Sequence, residues 1–379
     1  MVVGDSLRSL IYAISRKLPV KKNKLVFVSH LGKNCSCNPK CLCDYILRNA
    51  RKQFELVFLY DPTICDIKDF PHGVRVLSIY SKRYIYDIST CGFLISNTRI
   101  PEWFGFNPRK NQCYIQTWHS SLRLKKIEKD ANLGIDYEEW AMNDSKKISV
   151  IVSGCDFSSN IFKQSFWYDG PLLKVGTPRI DYLLNVGESE VIKIKKKALL
   201  SQNTHYVLYA PTFRSNGDIG VYNVDYEKVA AALSARFGGE WNVLFRIHPN
   251  LRGLVNVRKM PSCCIDVSGY GDIQELIAIS DIMITDYSSC MFDMAFAKKP
   301  CFLYVSDLEK YISNERGLYF DILKLPFPVA KTNEELLALI NGFDTLIYKK
   351  SVSEFLSKIG SYERGDACQK ILKYIEDKE

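Results

Sequence analysis

Two of the five histidines close apolar runs that read as strands, and their neighbours suit phosphate chemistry. His119 ends Gln116-Thr117-Trp118-His119 and is followed by Ser120-Ser121 and the basic run Arg123, Lys125, Lys126. His248 ends Leu244-Phe245-Arg246-Ile247-His248, ahead of Pro249-Asn250. An imidazole accepts a hydroxyl proton near neutral pH and also donates hydrogen bonds to phosphate oxygens. Either histidine alone reads as an ordinary loop residue; a matched pair, one in each half of the chain, favours chemistry. His30 also follows a strand.

Cations and hydroxyls collect at the same kind of position. The strand Ile282–Thr285 runs into Asp286-Tyr287-Ser288-Ser289 and then a helix. Free N–H groups at a helix start, with Ser288 and Ser289 beside them, suit an anion, although a plain N-cap gives the same pattern. Tyr206–Ala210 opens into Pro211-Thr212-Phe213-Arg214, and Arg246 and Arg316 add further cations. Together these residues suit a diphosphate clamp. The cluster Cys35, Cys37, Cys41, Cys43 lacks the usual C-x₂-C zinc spacing and has no second pair, so it reads as a cysteine-rich loop. No D-x-D is present, which speaks against a metal-held nucleotide diphosphate of the usual kind. P-loop, dinucleotide and serine-hydrolase signatures are absent too.

The elements that must position these residues alternate. Short runs rich in Val, Ile, Phe and Leu at Leu25–Ser29, Glu55–Tyr60, Val74–Ile79, Phe93–Ser96, Tyr114–Trp118, Val150–Ser153 and Leu172–Val175 read as strands. Helices fit from Asn38-Pro39, as N-cap and first residue, through about Arg51, and at Ile135–Lys147 and Ser158–Phe166. After a lysine-rich helix at Glu188–Leu200 the alternation restarts, with strands at Tyr206–Ala210, Asn242–Ile247, Ile282–Thr285 and Cys301–Val305. Buried strands alternating with helices mean α/β units with parallel sheets, whose ligands bind at the carboxyl ends of strands. The division reads as a basic amphipathic segment 1–24, an N-terminal domain 25–183, a C-terminal domain 184–350 and terminal helices 351–379.

The 379 residues are 47% hydrophobic and 25% charged, the balance of a globular protein of about two domains. No run approaches the ~18 apolar residues of a membrane span. Arg8, Arg16 and Lys17 interrupt any signal peptide. Thirteen scattered cysteines read as thiols, which suits the cytoplasm. Net charge is +9, yet residues 1–50 hold nine Lys/Arg against two acids, leaving the rest nearly neutral. That polarity argues against a nucleic-acid groove and for a basic segment drawn to an anionic surface. Leu7, Leu10, Ile11, Ile14 and Leu18 share one helical face next to six basic residues within the first 24. The pattern fits either a helix lying in a bilayer interface or one packed on its own domain.

The motifs Gln116-Thr117-Trp118-His119, Leu124-Lys125-Lys126-Ile127, Tyr209-Ala210-Pro211-Thr212-Phe213-Arg214, Arg246-Ile247-His248-Pro249 and Thr285-Asp286-Tyr287-Ser288-Ser289 occur in a familiar order. Phe292-Asp293, Lys299-Pro300 and Arg316-Gly317 before Tyr319-Phe320-Asp321 complete it. From about Leu25 to about Asp321 the chain resembles the CDP-glycerol glycerophosphotransferases of teichoic-acid and capsule synthesis. One departure is Ser120-Ser121, where the family has Gly-Thr after its Trp-His. The resemblance implies a GT-B architecture, two Rossmann-like domains facing across a cleft. It also implies a peripheral enzyme on the inner face of the cell membrane, with CDP-glycerol as donor and a lipid-linked glycan or polyol-phosphate acceptor. No metal or other cofactor is implied. His119 would take the acceptor's proton. His248, Arg214, Arg246, Asp286, Ser288, Ser289, Arg316 and Ser120 would hold the substrates while CMP leaves. The chain matches the family's short members in length, which suits a single-addition enzyme. A CDP-ribitol enzyme, a nucleotide-sugar GT-B transferase and a non-catalytic polyanion binder are the rival readings.

Overall fold

The computed structural model describes residues 5–214, 217–247, 260–314 and 317–379; His248 and Arg316 lie outside them. The chain divides into two compact units. The first comprises Met1–Ser121, Ile127–Tyr182 and Ser361–Glu379, the second Leu122–Lys126 and Leu183–Gly360.

A seven-stranded sheet forms the centre of the first unit. Its strands are β1 (Lys21–Val28), β2 (Glu55–Tyr60), β3 (Arg75–Ser78), β4 (Cys91–Ser96), β5 (Cys113–Gln116), β6 (Val150–Ser153) and β7 (Leu172–Lys174). They run parallel in the order β3-β2-β1-β4-β5-β6-β7. β4 is buried at every residue, as a strand covered on both faces requires. The strand order reverses between β1 and β4, and at such a switch point doubly wound sheets bind ligands at the carboxyl ends of the strands.

The second unit repeats the plan. β8 (His205–Tyr209), β9 (Trp241–Phe245), β10 (Cys264–Asp266), β11 (Ile282–Thr285), β12 (Cys301–Tyr304) and β13 (Val329–Ala330) form a parallel sheet in the order β10-β9-β8-β11-β12-β13. Its reversal lies between β8 and β11. Two doubly wound units of this kind are the elements of the GT-B class.

The terminal helices do not form a separate tail. Thr345–Lys358 stays in the second unit, whereas Ala367–Glu376 belongs to the first. Cys368, Ile371, Leu372 and Ile375 lie on one face of that last helix and are buried in the same core as Leu42 and Ile46. Ahead of it, the Tyr362 N–H donates to Gly154 O (2.8 Å) and Glu363 enters the interior. The Glu363 carboxylate accepts from Thr177 N–H (2.9 Å) and pairs with Thr177 Oγ1 (2.8 Å). A Cβ at Gly154 would overlap both Ser121 Oγ and Glu363, and one at Gly176 (φ +92°) would also strike Glu363, so this plug requires both glycines.

Burial raises the Glu363 pKa from 4.5 to about 8, against the hydrogen bonds of Ser121 and Thr177, with Asp181 adding to the rise. Folded protein therefore keeps a proton that the unfolded chain releases. The associated stability is fully present below about pH 4.5 and is lost as pH climbs through about 8. Glu363→Gln, which cannot ionise, is expected to flatten the Tm-against-pH curve between pH 5 and 8 and to match or exceed the wild-type Tm at pH 8. Parallel curves would show that Glu363 does not titrate there.

The first helix, α1 (Asp5–Ser15), is docked on its own unit yet keeps an apolar strip outside. Arg109 donates to Arg16 O and Leu18 O, both at 2.8 Å, anchoring the helix end. Ser15 is buried, but Leu10 and Ile14 are 57% and 55% exposed. The packed reading thus holds for one face of the helix, and the other face leaves Leu10 and Ile14 uncovered.

Candidate functional site

In the first unit, three neighbouring strands deliver polar residues to one edge of the sheet. β1 leads to His30, β4 to Asn97, and β5 through Thr117 and Trp118 to His119. Asn97 is fully buried and joins the two histidines. Its Oδ1 accepts from His30 N–H (2.8 Å), its Nδ2 lies 3.1 Å from His30 Nε2, and its carbonyl oxygen lies 3.1 Å from His119 Nδ1. The two rings stand 5.9 Å apart. A carbonyl oxygen only accepts, so the bond to His119 requires the proton on Nδ1 and leaves Nε2 with the basic lone pair. His119 also lies against the Trp118 indole at 4.4 Å, and Phe166 meets that indole edge-on at 4.9 Å.

The backbone around this edge is strained. His30, Leu31, Cys37 and Trp118 all have positive φ, at 45°, 59°, 60° and 51°. Each such non-glycine residue costs of order 1–3 kcal/mol and persists where its surroundings over-determine it. Asn38 departs from its expected role. Ser36 is the N-cap of α2 (Cys37–Asn49), its hydroxyl donating to Asn34, and the Asn38 amide crosses to the Thr117 and Trp118 carbonyls instead. Ser120 is buried directly after His119.

Arg99 secures the loop after β4. Its guanidinium pairs with Glu128 (2.7 Å) and Asp144 (3.2 Å) in the interior and covers the Phe166 ring at 4.1 Å. Burial raises the Asp144 pKa to about 6, with Arg99 pulling the other way.

The second unit assembles its polar groups at its own reversal point. Arg214 follows β8, Arg246 follows β9, Asp286 follows β11, and Asp307 lies just beyond β12. Arg214 differs from the expected open clamp. It is 4% exposed, with Nε and Nη2 on Asp307 (2.7 and 3.1 Å), Nη1 on Thr212 O (2.7 Å) and Nη2 2.8 Å from Asp286. Tyr287 and Tyr311 lie within 5 Å of the guanidinium carbon. Burial opposes its charge, but Asp307 and Asp286 outweigh burial and raise its pKa. Arg214 is therefore a charge hub whose donors are already engaged. Asp286 accepts from Thr212 N–H (2.8 Å) and Tyr287 N–H (2.5 Å), tying the exit of β8 to that of β11.

Ser288 and Ser289 precede the helix Cys290–Phe296. Ser288 Oγ accepts from Cys290 N–H (3.3 Å), and Ser289 Oγ accepts from Leu124 N–H (3.2 Å). The short stretch Leu122–Lys126 is sewn into this unit: Lys126 N–H donates to Gly317 O and Tyr319 N–H to Leu124 O, both at 2.8 Å. Arg246 donates to Tyr270 O (2.7 Å). Among the described residues, five of the expected ones, Arg214, Arg246, Asp286, Ser288 and Ser289, thus belong to one unit. His119 and Ser120 belong to the other.

Sequence reasoning passed over Asn97 and Asp307. Both follow strands, and applying the strand-end rule to every residue type would have flagged them. Cys35, Cys37, Cys41 and Cys43 are buried, and Cys37 Sγ accepts from Arg179 (3.3 Å). Among the described residues, no group of three His, Cys, Asp or Glu side chains is placed to hold a metal ion.

Known proteins of the same kind match along nearly the whole chain. The family described as CDP-Glycerol:Poly(glycerophosphate) glycerophosphotransferase matches residues 10–377. A teichoic acid poly(glycerol phosphate) polymerase of Bacillus spizizenii is 30% identical over 97% of this chain and 95% of its own length. A teichoic acid glycerol-phosphate transferase of Staphylococcus aureus is 30% identical over 96% of this chain and 95% of its own. Of two longer polymerases the chain spans only 51% and 52%. The solved structure of the wall teichoic acid polymerase TagF, a histidine variant soaked with CDPG, superposes with a TM-score of 0.84 at 27% identity. It covers 98% of this chain and 92% of that one. Relatives of matching length thus carry both polymerase and transferase names, so length does not separate single addition from polymerisation.

Proposed function

The chain belongs to the CDP-glycerol:poly(glycerophosphate) glycerophosphotransferase family, and from that premise we propose how its residues move glycerol phosphate from CDP-glycerol to an acceptor in teichoic-acid synthesis. The acceptor is a hydroxyl of a lipid-linked glycan or polyol-phosphate chain. Its oxygen attacks the phosphorus that carries glycerol, and its proton passes to His119 Nε2. As the new O–P bond forms, the bond from that phosphorus to the bridging oxygen breaks and CMP departs with the electron pair. His248, Arg246, Arg316, Ser288 and Ser289 hold the diphosphate and offset the charge that grows on CMP. Arg214 and Asp286 serve by fixing the strand ends that carry these groups, and Ser120 lies where the acceptor hydroxyl approaches His119. No divalent metal takes part.

The observation that most supports this reading is the hydrogen bond from His119 Nδ1 to the Asn97 carbonyl at 3.1 Å, which leaves the opposite nitrogen basic. Purified protein with a soluble acceptor analogue should release CMP from CDP-glycerol, with CDP-ribitol and UDP-sugars turned over at least tenfold more slowly. The rate should persist in chelator. Release of UDP, faster use of CDP-ribitol, or dependence on magnesium would each overturn the corresponding part.

We also propose that α1 holds the enzyme on an anionic membrane surface. No helix among the described residues is long and apolar enough to cross a membrane. Leu10, Ile14 and Leu18 are 57%, 55% and 40% exposed. Trp103, 51% exposed, borders the same hollow as Tyr12 of α1. Each basic residue near anionic lipid contributes about 1 kcal/mol, and burial of the apolar strip adds a part that salt does not screen. The double substitution Leu10→Glu with Ile14→Glu is expected to cut binding to phosphatidylglycerol vesicles at least tenfold while leaving turnover of a soluble acceptor unchanged. Vesicle binding that survives it would remove α1 from that role.

A further inference from the structure

The His119 corner is held from behind by two side chains distant in sequence. Asn38, fully buried in the first turn of α2, donates through its amide to Thr117 O (3.1 Å) and Trp118 O (2.8 Å). Its Oδ1 accepts from the Arg179 N–H (2.9 Å). Arg179, 6% exposed in the helix Pro178–Asn185, donates through Nη1 to the His119 carbonyl and to Cys37 Sγ (3.3 Å). Three successive carbonyls are thus gripped by the side chains of two residues, which are joined in turn through Asn38 Oδ1 and the Arg179 backbone N–H. The middle residue of the three is Trp118, whose φ is +51°. Backbone carbonyls leaving a strand need partners when buried, and these partners favour one conformation of the corner over any other.

We infer that Asn38 and Arg179 are positioning residues, locking the Thr117–His119 backbone so that the His119 imidazole keeps Nδ1 on the Asn97 carbonyl and Nε2 toward the acceptor. The inference rests on the reading of His119 as the base. A displacement of about 1 Å at a reacting group can cost ~100-fold in rate, so a grip that acts only through backbone carbonyls bears directly on turnover. Neither residue is among those assigned to the substrates.

The test compares Asn38→Asp with Arg179→Lys. The Asp side chain has the same shape and can still accept from Arg179 N–H, but it loses both donors and sets a carboxylate against two carbonyls. The expected result is a fall of about 30–100-fold in kcat with KM for CDP-glycerol within about twofold. In ¹⁵N-histidine NMR spectra, His119 should pass from the Nδ1–H tautomer to a mixture. In a His119→Ala background the same substitution should change the residual rate less than about twofold, because residues acting through one group are not additive. Arg179→Lys, which keeps one donor, should give a milder version of each effect, and it carries the test should Asn38→Asp not fold. Equal losses in both backgrounds, or an unshifted His119 signal, would overturn the inference. A nearly full rate in His119→Ala, together with an NMR shift in Asn38→Asp, would support the positioning and overturn the assignment of the base.

Discussion

Replacing His119 by alanine is expected to lower glycerol-phosphate transfer about 10²–10⁴-fold while leaving the thermal transition where it was. The imidazole is half-buried, its Nδ1 occupied by the Asn97 carbonyl, so its loss removes a proton acceptor and little of the core. A general base also acts late: donor affinity, measured by calorimetric titration with CDP-glycerol, should stay within about twofold. His248→Ala is expected to cost about 10²–10³-fold, the range for one lost donor at a developing anion. The two variants separate the roles, since loss of a diphosphate contact weakens donor binding and loss of a base does not. Either variant retaining more than about a tenth of wild-type turnover would remove that histidine from the mechanism.

Arg214→Ala is expected to act mainly on stability. Asp286 is 1% exposed and its charge is met by the Arg214 guanidinium at 2.8 Å. Asp307, held below the usual carboxylate range because Arg214 outweighs the effect of burial, loses its partner as well. Removing one member of such a buried cluster costs roughly 3–5 kcal/mol. In a unit of this size each 1 kcal/mol moves Tm by about 2–4 °C, so a fall of about 10 °C should appear in the transition of the second unit. Arg214→Lys should recover part of it, since one ammonium cannot reproduce the forked contact with Asp307. An unchanged Tm with lost CDP-glycerol affinity would return Arg214 to the open-clamp role that its sequence position suggests.

That contrast shows where the sequence is readable. Alternation of apolar strands with helices located β2, β6 and β11 to the residue, because each is a continuous apolar run. β10 and β13, of three and two residues, lie at sheet edges and carry too little pattern to stand out. The helix Lys82–Thr90 was hidden for another reason: Asp87 sits fully buried on it against Lys24 (2.8 Å), which breaks the apolar stripe. Strand-end positions identified His119, Arg214, Arg246 and Asp286 as site candidates, since a parallel sheet fixes where those residues emerge. What each one touches there was not legible. Asp307 lies 93 residues from Arg214, and no local pattern announces that the guanidinium will be taken up by it. Asn38 failed in the same way: Asn-Pro is a good helix start, and only the fold brings the Thr117 and Trp118 carbonyls within reach of the amide. The last helix read as a tail because nothing in its own sequence says which core receives Ile371 and Ile375.

The transferred group itself is the most direct point of attack. CDP-glycerol carrying ³²P only at the phosphorus next to glycerol, incubated with the enzyme and a soluble acceptor analogue, should deliver its label to the acceptor. One equivalent of unlabelled CMP should appear for each label transferred. That result requires attack at the glycerol-bearing phosphorus and cleavage of its bond to the bridging oxygen. Label recovered in CDP, with glycerol alone on the acceptor, would place the broken bond on the carbon side of the phosphate and contradict the account.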